Sequence, residues 1–347
     1  MSSTAAMPTA RYDLDQSALS ELFADLPAFR GRQIWDGLYR RALDPSDMTD
    51  LSKSLRQRVA DTLPQSLVPA AEAVAKNGQT IKWLWQLADG AEIETVLMKY
   101  PDRATVCVST QAGCAMACGF CATGQAGFQR HLRVGEIVEQ VVRAVQRARP
   151  RRVSNVVFMG MGEPLANYDA TWKAAERIHD DLAISARHIT ISTVGLVPGI
   201  RRLTQEALPV NLAVSLHAAN DRLRDELVPI NRRYPLADLM AACHDYRRVK
   251  RRRISLEWAM IEGVNDRDQD AHELAGLATP LRAHVNLIPL NPTSGYTTGA
   301  TSREHVEGFA AILHRAGVPA TIRENRGLDI DAACGQLRIR TNRDPQP

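Results

Sequence analysis

From residue 104 onward the chain alternates between short apolar runs and longer stretches with helical spacing. The runs are ATVCVST (104–110), VSNVVFMG (153–160), HITISTV (188–194), VNLAVSL (210–216), RISLEWAMI (253–261), AHVNLIPL (283–290) and PATIRE (319–324). Rich in Val and Ile and apolar throughout, they read as strands of a parallel sheet covered by helices. Between them, stretches such as VGEIVEQVVRAVQRA (134–148) and SREHVEGFAAILHRAG (302–317) carry helical patterning. Repeating βα units predict an α/β fold with a full or partial barrel. Upstream the pattern differs. Residues 15–62 look helical, with Leu19, Leu22, Phe23 and Leu26 at helix spacing, a second helix in FRGRQIWDGLYRR, and a third in MTDLSKSLRQRVADTL, for which Ser46 and Asp47 offer caps. TIKWLWQL and AEIETVLMKY flank Asp89-Gly90, so residues 80–100 read as a hairpin. The predicted organisation is a helical module (1–79), a hairpin linker (80–103), a partial (β/α) barrel core (104–333) and a C-terminal segment (334–347).

Chemistry-bearing residues gather just after the strands. A cysteine cluster follows the first, MGMGEP the second, SLHAAN the fourth and Asn291-Pro292 the sixth. That end of a parallel barrel is where active sites form, so the core reads as an enzyme. Composition narrows the setting. Hydrophobic residues make up 45% and charged residues 24% of the 347, ordinary for a soluble protein, and no apolar run approaches the length of a membrane span. No basic start followed by an apolar stretch marks the N-terminus, so a cytoplasmic, reducing setting without structural disulfides or a membrane partner is expected. Net charge is only +4, but Arg247, Arg248, Lys250, Arg251, Arg252 and Arg253 form one basic run, and Arg147, Arg149, Arg151 and Arg152 another. Each suits phosphate contact or a solvated face.

Cys114, Cys118 and Cys121 fall within eight residues of a chain with six cysteines. Clustered thiolates in a reducing setting serve a zinc site or an iron–sulfur cluster. Zinc wants four ligands, usually from two cysteine pairs; a cubane cluster bound by three cysteines leaves one iron open to another ligand. Cys243, on a predicted helix, reads as core. An iron–sulfur electron carrier and a zinc-stabilised RNA-binding module are the non-catalytic readings of the same trio.

The Cys-x3-Cys-x2-Cys spacing with Phe120 before the last cysteine resembles the radical S-adenosylmethionine (SAM) superfamily. The wider set CVSTQAGC, CATGQAGF, MGMGEP, SLHAAN, NLIPLNP and IDAACGQLR is similar to the RlmN group of adenine carbon-2 RNA methyltransferases, whose near relative, the Cfr group, methylates carbon 8. The resemblance covers nearly the whole chain. It implies a 4Fe-4S cluster on Cys114, Cys118 and Cys121, and two SAM per turnover. It implies SAM contacts from Gly160, Gly162, Glu163, Ser192, Ser215, Leu216, His217 and Asn291, the glycines letting backbone approach the ligand and Glu163 pairing with the methionine ammonium. It further implies a methyl-carrier role for Cys334, a resolving role for Cys107 and a proton-accepting role for Glu94. The implied substrates are 23S rRNA and tRNA beside the anticodon, and the implied partner is an electron-donating reductase or flavodoxin-type protein. The implied product forms through S-methyl-Cys334 and a covalent protein–RNA adduct. An enzyme of the same superfamily acting on a small molecule is the nearer rival, with no evident use for the Cys107–Cys334 pair.

Overall fold

The computed structural model describes residues 10–291, 293, 295–296, 298–324, 327–333 and 335–337. The chain begins with three short helices, α1 (Gln16–Leu22), α2 (Phe29–Leu38) and α3 (Lys53–Thr62). The cap of α3 is Ser52, whose hydroxyl accepts the Leu55 N–H at 3.3 Å, while Ser46 and Asp47 lie in a separate 3-10 turn (Pro45–Asp47). Pro45 starts that turn, and the capping residue lies about five or six positions later than the two expected.

Three antiparallel strands follow: β1 (Val68–Val74), β2 (Thr80–Gln86) and β3 (Glu92–Lys99). The β2–β3 hairpin turns at Asp89-Gly90 as predicted, Gly90 having φ 84°. Strand β1, inside the predicted helical module (1–79) but past the 15–62 stretch read as helical, is the unpredicted member. Its residues are almost all exposed, so it has no apolar alternation to betray it, and it is a strand because the β2 edge offers partners for its backbone.

The remaining elements are β4 (Ala104–Cys107), β5 (Gln111–Gly113), α4 (Ala122–Gln125), β6 (Phe128–His131), α5 (Val134–Ala148), β7 (Val153–Phe158), α6 (Tyr168–Asp180), β8 (Ile189–Thr193), α7 (Val197–Gln205), β9 (Asn211–Ser215), α8 (Asp221–Leu227), α9 (Leu236–Lys250), β10 (Ser255–Met260), α10 (Asp268–Leu281), β11 (His284–Pro289), α11 (Arg303–Arg315) and β12 (Ala320–Ile322). One ten-stranded sheet runs β1-β2-β3-β4-β7-β8-β9-β10-β11-β12, and every neighbouring pair from β4 to β12 is parallel. All seven apolar runs are strands of this partial barrel, which is open among the described residues because β1 and β12 remain its edges. Cys243 on α9 is fully buried. The N-terminal helices dock on the barrel's helical shell. Trp35 Nε1 donates to Asp181 at 3.1 Å, and Arg177 on α6 donates to the carbonyls of Tyr12 and Asp13. Among the described residues no helix is long and apolar enough to cross a membrane.

Candidate active site

The three cysteines hang from a small hairpin at the C-terminal end of the parallel strands. β5 and β6 pair antiparallel, and the loop between them is closed by a 2.7 Å bond from the Cys114 N–H to the Gly127 carbonyl. Gly113 has φ 75°, and a Cβ there would lie 2.0 Å from the Gly127 oxygen, so only glycine lets the loop close. Cys121 then leads into α4. All three cysteines line one cavity. Burial pushes the Cys114 thiol up to about 12, with the Glu163 and Cys121 charges adding to it, and drives Cys118 up further. Thiolates in such a place need adjacent positive charge, which iron supplies. Among the described residues no three His, Cys, Asp or Glu side chains converge as around a single ion.

The opposite wall is the turn after β7. Gly160 and Gly162 both line the cavity, but their lack of a side chain serves protein packing. A Cβ on Gly160 would lie 2.7 Å from the Val108 carbonyl, and one on Gly162 (φ 103°) 2.6 Å from Gln111 Cβ. Besides lining the cavity, these glycines let the turn nest on residues 108–111, fixed by bonds from the Thr110 and Gln111 N–H groups to the Met161 carbonyl. Glu163 is buried. Its two oxygens accept the Leu165 N–H (3.0 Å) and the Val194 N–H (2.9 Å), clipping the β7 turn to the end of β8. Burial raises its carboxyl to about 7, against those hydrogen bonds, so a cation beside it is favoured.

Ser192 is the penultimate residue of β8, Ser215 ends β9 and Asn291 follows β11, and all three line the same cavity. His217 joins them in a left-handed conformation (φ 58°). Its Nδ1 accepts the Ala259 N–H at 3.0 Å, which leaves the proton on Nε2, and burial holds the ring neutral by pushing it down to about 3. The ring thus satisfies a backbone donor and still presents an edge to the cavity, where Phe120 meets it at 4.8 Å between centroids. Leu216 does not reach the cavity: its side chain is core, its N–H donates to Glu257 and its carbonyl accepts from Arg224.

A family model described as the radical SAM superfamily matches residues 108–275, and one described as the ribosomal RNA large subunit methyltransferase N-terminal domain matches residues 12–63. The probable dual-specificity RNA methyltransferase RlmN of Chloroflexus aurantiacus is 51% identical over 94% of this chain and 92% of its own length. The dual-specificity RNA methyltransferase RlmN 1 of Myxococcus xanthus is 48% identical over 96% and 95%. A crystal structure of a radical SAM methyltransferase from Sphaerobacter thermophilus superposes with a TM-score of 0.92 at 51% identity, covering 95% of this chain and 99% of that one. The chain belongs to the RlmN family of radical SAM methyltransferases. It is therefore an enzyme of the methyltransferase class, and the superfamily's SAM and 4Fe-4S cluster fit the three-thiol cavity.

In this RlmN-family chain Cys107 and Glu94 are not among the residues that line the cavity. Cys107 closes β4 and pairs with Val96 of β3, so Glu94, two residues before Val96, projects from the same sheet face. Glu94 is neither exposed nor solvated: it is 3% accessible and ion-paired with Lys82 at 3.1 Å. Cys334 lies outside the described residues. Described residues near it in the sequence are held by hydrogen bonds. Lys82 Nζ donates to the Asp331 carbonyl, the Gly335 carbonyl accepts the Ala122 N–H at 2.8 Å, and Gly335 lines the cavity.

Two site residues escaped the sequence reading. Arg224 is fully buried and donates to the carbonyls of Val194, Ser215 and Leu216 and to Asn231, tying the ends of β8 and β9 together; burial lowers it to about 10. Glu257 lines the cavity, opposite Ser215 in register, with burial raising its carboxyl and Asn286 donating to it at 2.8 Å. In sequence both resemble ordinary charged residues of a helix and a strand, and only their burial marks them.

Proposed function

We propose that this enzyme methylates carbon 2 of a specific adenine in 23S rRNA and of an adenine beside the anticodon of tRNAs, in the cytoplasm, with the N-terminal module (1–79) gripping the RNA. The observation that carries the reading is the joining of three thiols, Glu163, Ser192, Ser215, His217 and Asn291 around one cavity that also takes in Gly335, next to Cys334. The names of the relatives, dual-specificity RNA methyltransferases, support the substrate class.

Cys114, Cys118 and Cys121 hold the cluster, and the serines, His217, Asn291 and Glu163 hold SAM, with Glu163 facing the ammonium. The bound pair supplies one-electron cleavage of SAM to methionine and a 5'-deoxyadenosyl radical. The chain's own part is methyl relay. Cys334 takes a methyl from a first SAM by displacement, for which a thiolate is the suited nucleophile. After loss of a hydrogen atom the S-methylene carbon adds to adenine carbon 2, an electron-poor position that cannot itself attack the SAM methyl. The carbon-2 proton then passes to Cys107 and one electron leaves, for which the bound cluster would be the acceptor. With its thiol proton given up to Glu94, the Cys107 sulfur closes a disulfide on Cys334 as the sulfur–carbon bond breaks; the bonding pair leaves on the methylene carbon, which takes a proton to become the methyl group, and a reductase or flavodoxin-type protein resets the pair.

The test separates the two cysteines. Cys334→Ala yields neither methylated protein nor RNA adduct. Cys107→Ala, purified from growing cells, carries RNA that survives denaturant and that nuclease trims to a residual mass on the Cys334 peptide; the double variant carries none. Cys107→Ala protein free of RNA with its cluster intact removes the resolving role. Chromatography of nucleosides against 2-methyladenosine and 8-methyladenosine standards fixes the carbon, and 8-methyladenosine alone moves the enzyme to the Cfr-type reaction.

A further inference from the structure

The long basic run sits far from the cysteine loop. Arg187, Arg251–Arg253 and Arg282 each come just before a parallel strand (β8, β10 and β11), so they lie at the N-terminal end of the sheet, opposite the cavity. There Arg247, Arg248, Arg251, Arg252, Arg253 and Arg282 line an open groove together with His244 and Asp245. Asp245 is already held by Arg248 at 2.9 Å, and Arg252 donates to Asn211. Arg247, Arg251, Arg253 and Arg282 make no ion pair or side-chain hydrogen bond among the described residues. A solvated face normally intersperses both signs of charge; this one concentrates one sign around a concave surface.

Backbone conformation adds an independent sign of selection for the side chain. Arg251 and Arg282 are the C-terminal caps of α9 and α10, and both are left-handed, with φ 52° and 45°. Glycine is the favoured residue at such a position because it has no Cβ to strain. Two helices ending at one groove both carry arginine there.

We propose that this basal groove is a second RNA-contact surface that binds phosphates without reading sequence, while the far end of the barrel holds the reacting base. The inference rests on the RNA reading above. An acidic electron-donor protein is the weaker occupant. Strands of five or six residues put the groove roughly 20 Å from the cysteine loop, and electron transfer falls steeply with distance. A folded RNA is large enough to reach both ends.

The test uses the anaerobic, cluster-loaded full chain and unfractionated tRNA, with binding measured across a salt series. The double variant Arg251→Gly, Arg282→Gly removes two charges while relieving two strained residues, so loss of folding does not confuse the result. The slope of log K against log salt should flatten by about 1.5, some 0.7–0.9 for each phosphate no longer neutralised, with SAM cleavage unchanged. Arg251→Lys, Arg282→Lys should keep the parent slope. Parallel slopes for the parent and the glycine variant, with a parent that binds and methylates RNA, overturn the groove alone. A parent with neither salt-dependent RNA binding nor a methylated nucleoside overturns the RNA reading with it. Loss of turnover with a protein reductant but not with dithionite, at unchanged slope, reassigns the groove to the reductant and also overturns the proposal.

Discussion

His217→Asn tests whether the cavity histidine is held neutral by its surroundings. The ring is buried and accepts the Ala259 N–H through Nδ1, and burial, with the charge of Arg224 adding to it, lowers its pKa from 6.5 to about 3. Below 6.5 the unfolded chain takes up a proton that the folded protein refuses, so the stability contribution is complete above 6.5 and declines as pH falls toward 3. The decline is about 1.4 kcal/mol per pH unit, or about 2 kcal/mol between pH 8 and 5. Asparagine tolerates the left-handed backbone of this position and offers a carbonyl oxygen to the Ala259 N–H, but does not titrate. Anaerobic urea unfolding of parent and variant at pH 8, 7, 6 and 5 gives the comparison, in which the other histidines cancel. The parent should lose about 2 kcal/mol more than the variant over that range. Parallel pH profiles would refute the argument, since they give the ring the same affinity for a proton in the folded and the unfolded chain.

Alanine at Cys114, Cys118 or Cys121 should lower iron content and 5'-deoxyadenosine yield together, and a variant with full cleavage removes that cysteine from the ligand set. Gly160→Ala puts a methyl 2.7 Å from the Val108 carbonyl; it should cost about 2 kcal/mol in unfolding free energy and weaken SAM binding in equilibrium dialysis by displacing the turn that carries Glu163. Arg224→Met leaves the buried carbonyls of Val194, Ser215 and Leu216 without their donor, and should cost about 3 kcal/mol or more by urea midpoint. Ser52→Ala, which removes the α3 cap, should cost about 1 kcal/mol with SAM cleavage unchanged.

The parallel strands from β4 to β11 were legible because strands covered on both faces are largely apolar, and that signal is local; β12, an exposed edge strand, was legible from its place in the βα repeat. The cysteine trio was legible because three thiolates at short spacing have few uses. The same logic fails for β1, whose exposed residues carry no pattern and whose strand conformation depends on hydrogen bonds to an already folded neighbour. For Gly160 and Gly162 the sequence gives only part of the reason. Sequence identifies a turn that tolerates no side chain, but only the folded chain shows that the neighbour imposing this is the 108–111 backbone. Arg224 and Glu257 show the limit most plainly. A charged residue's chemistry depends on the water it has lost and the dipoles that replace it, and those are brought from β8, β9 and β11 by tertiary packing. By itself the sequence determined the periodicities and the reactive atoms. Tertiary structure decided which of those atoms share a desolvated cavity and which, like the basal arginines, are carried to the other end of the barrel, because burial and electrostatic neighbourhood are properties of distance in space and not of distance along the chain.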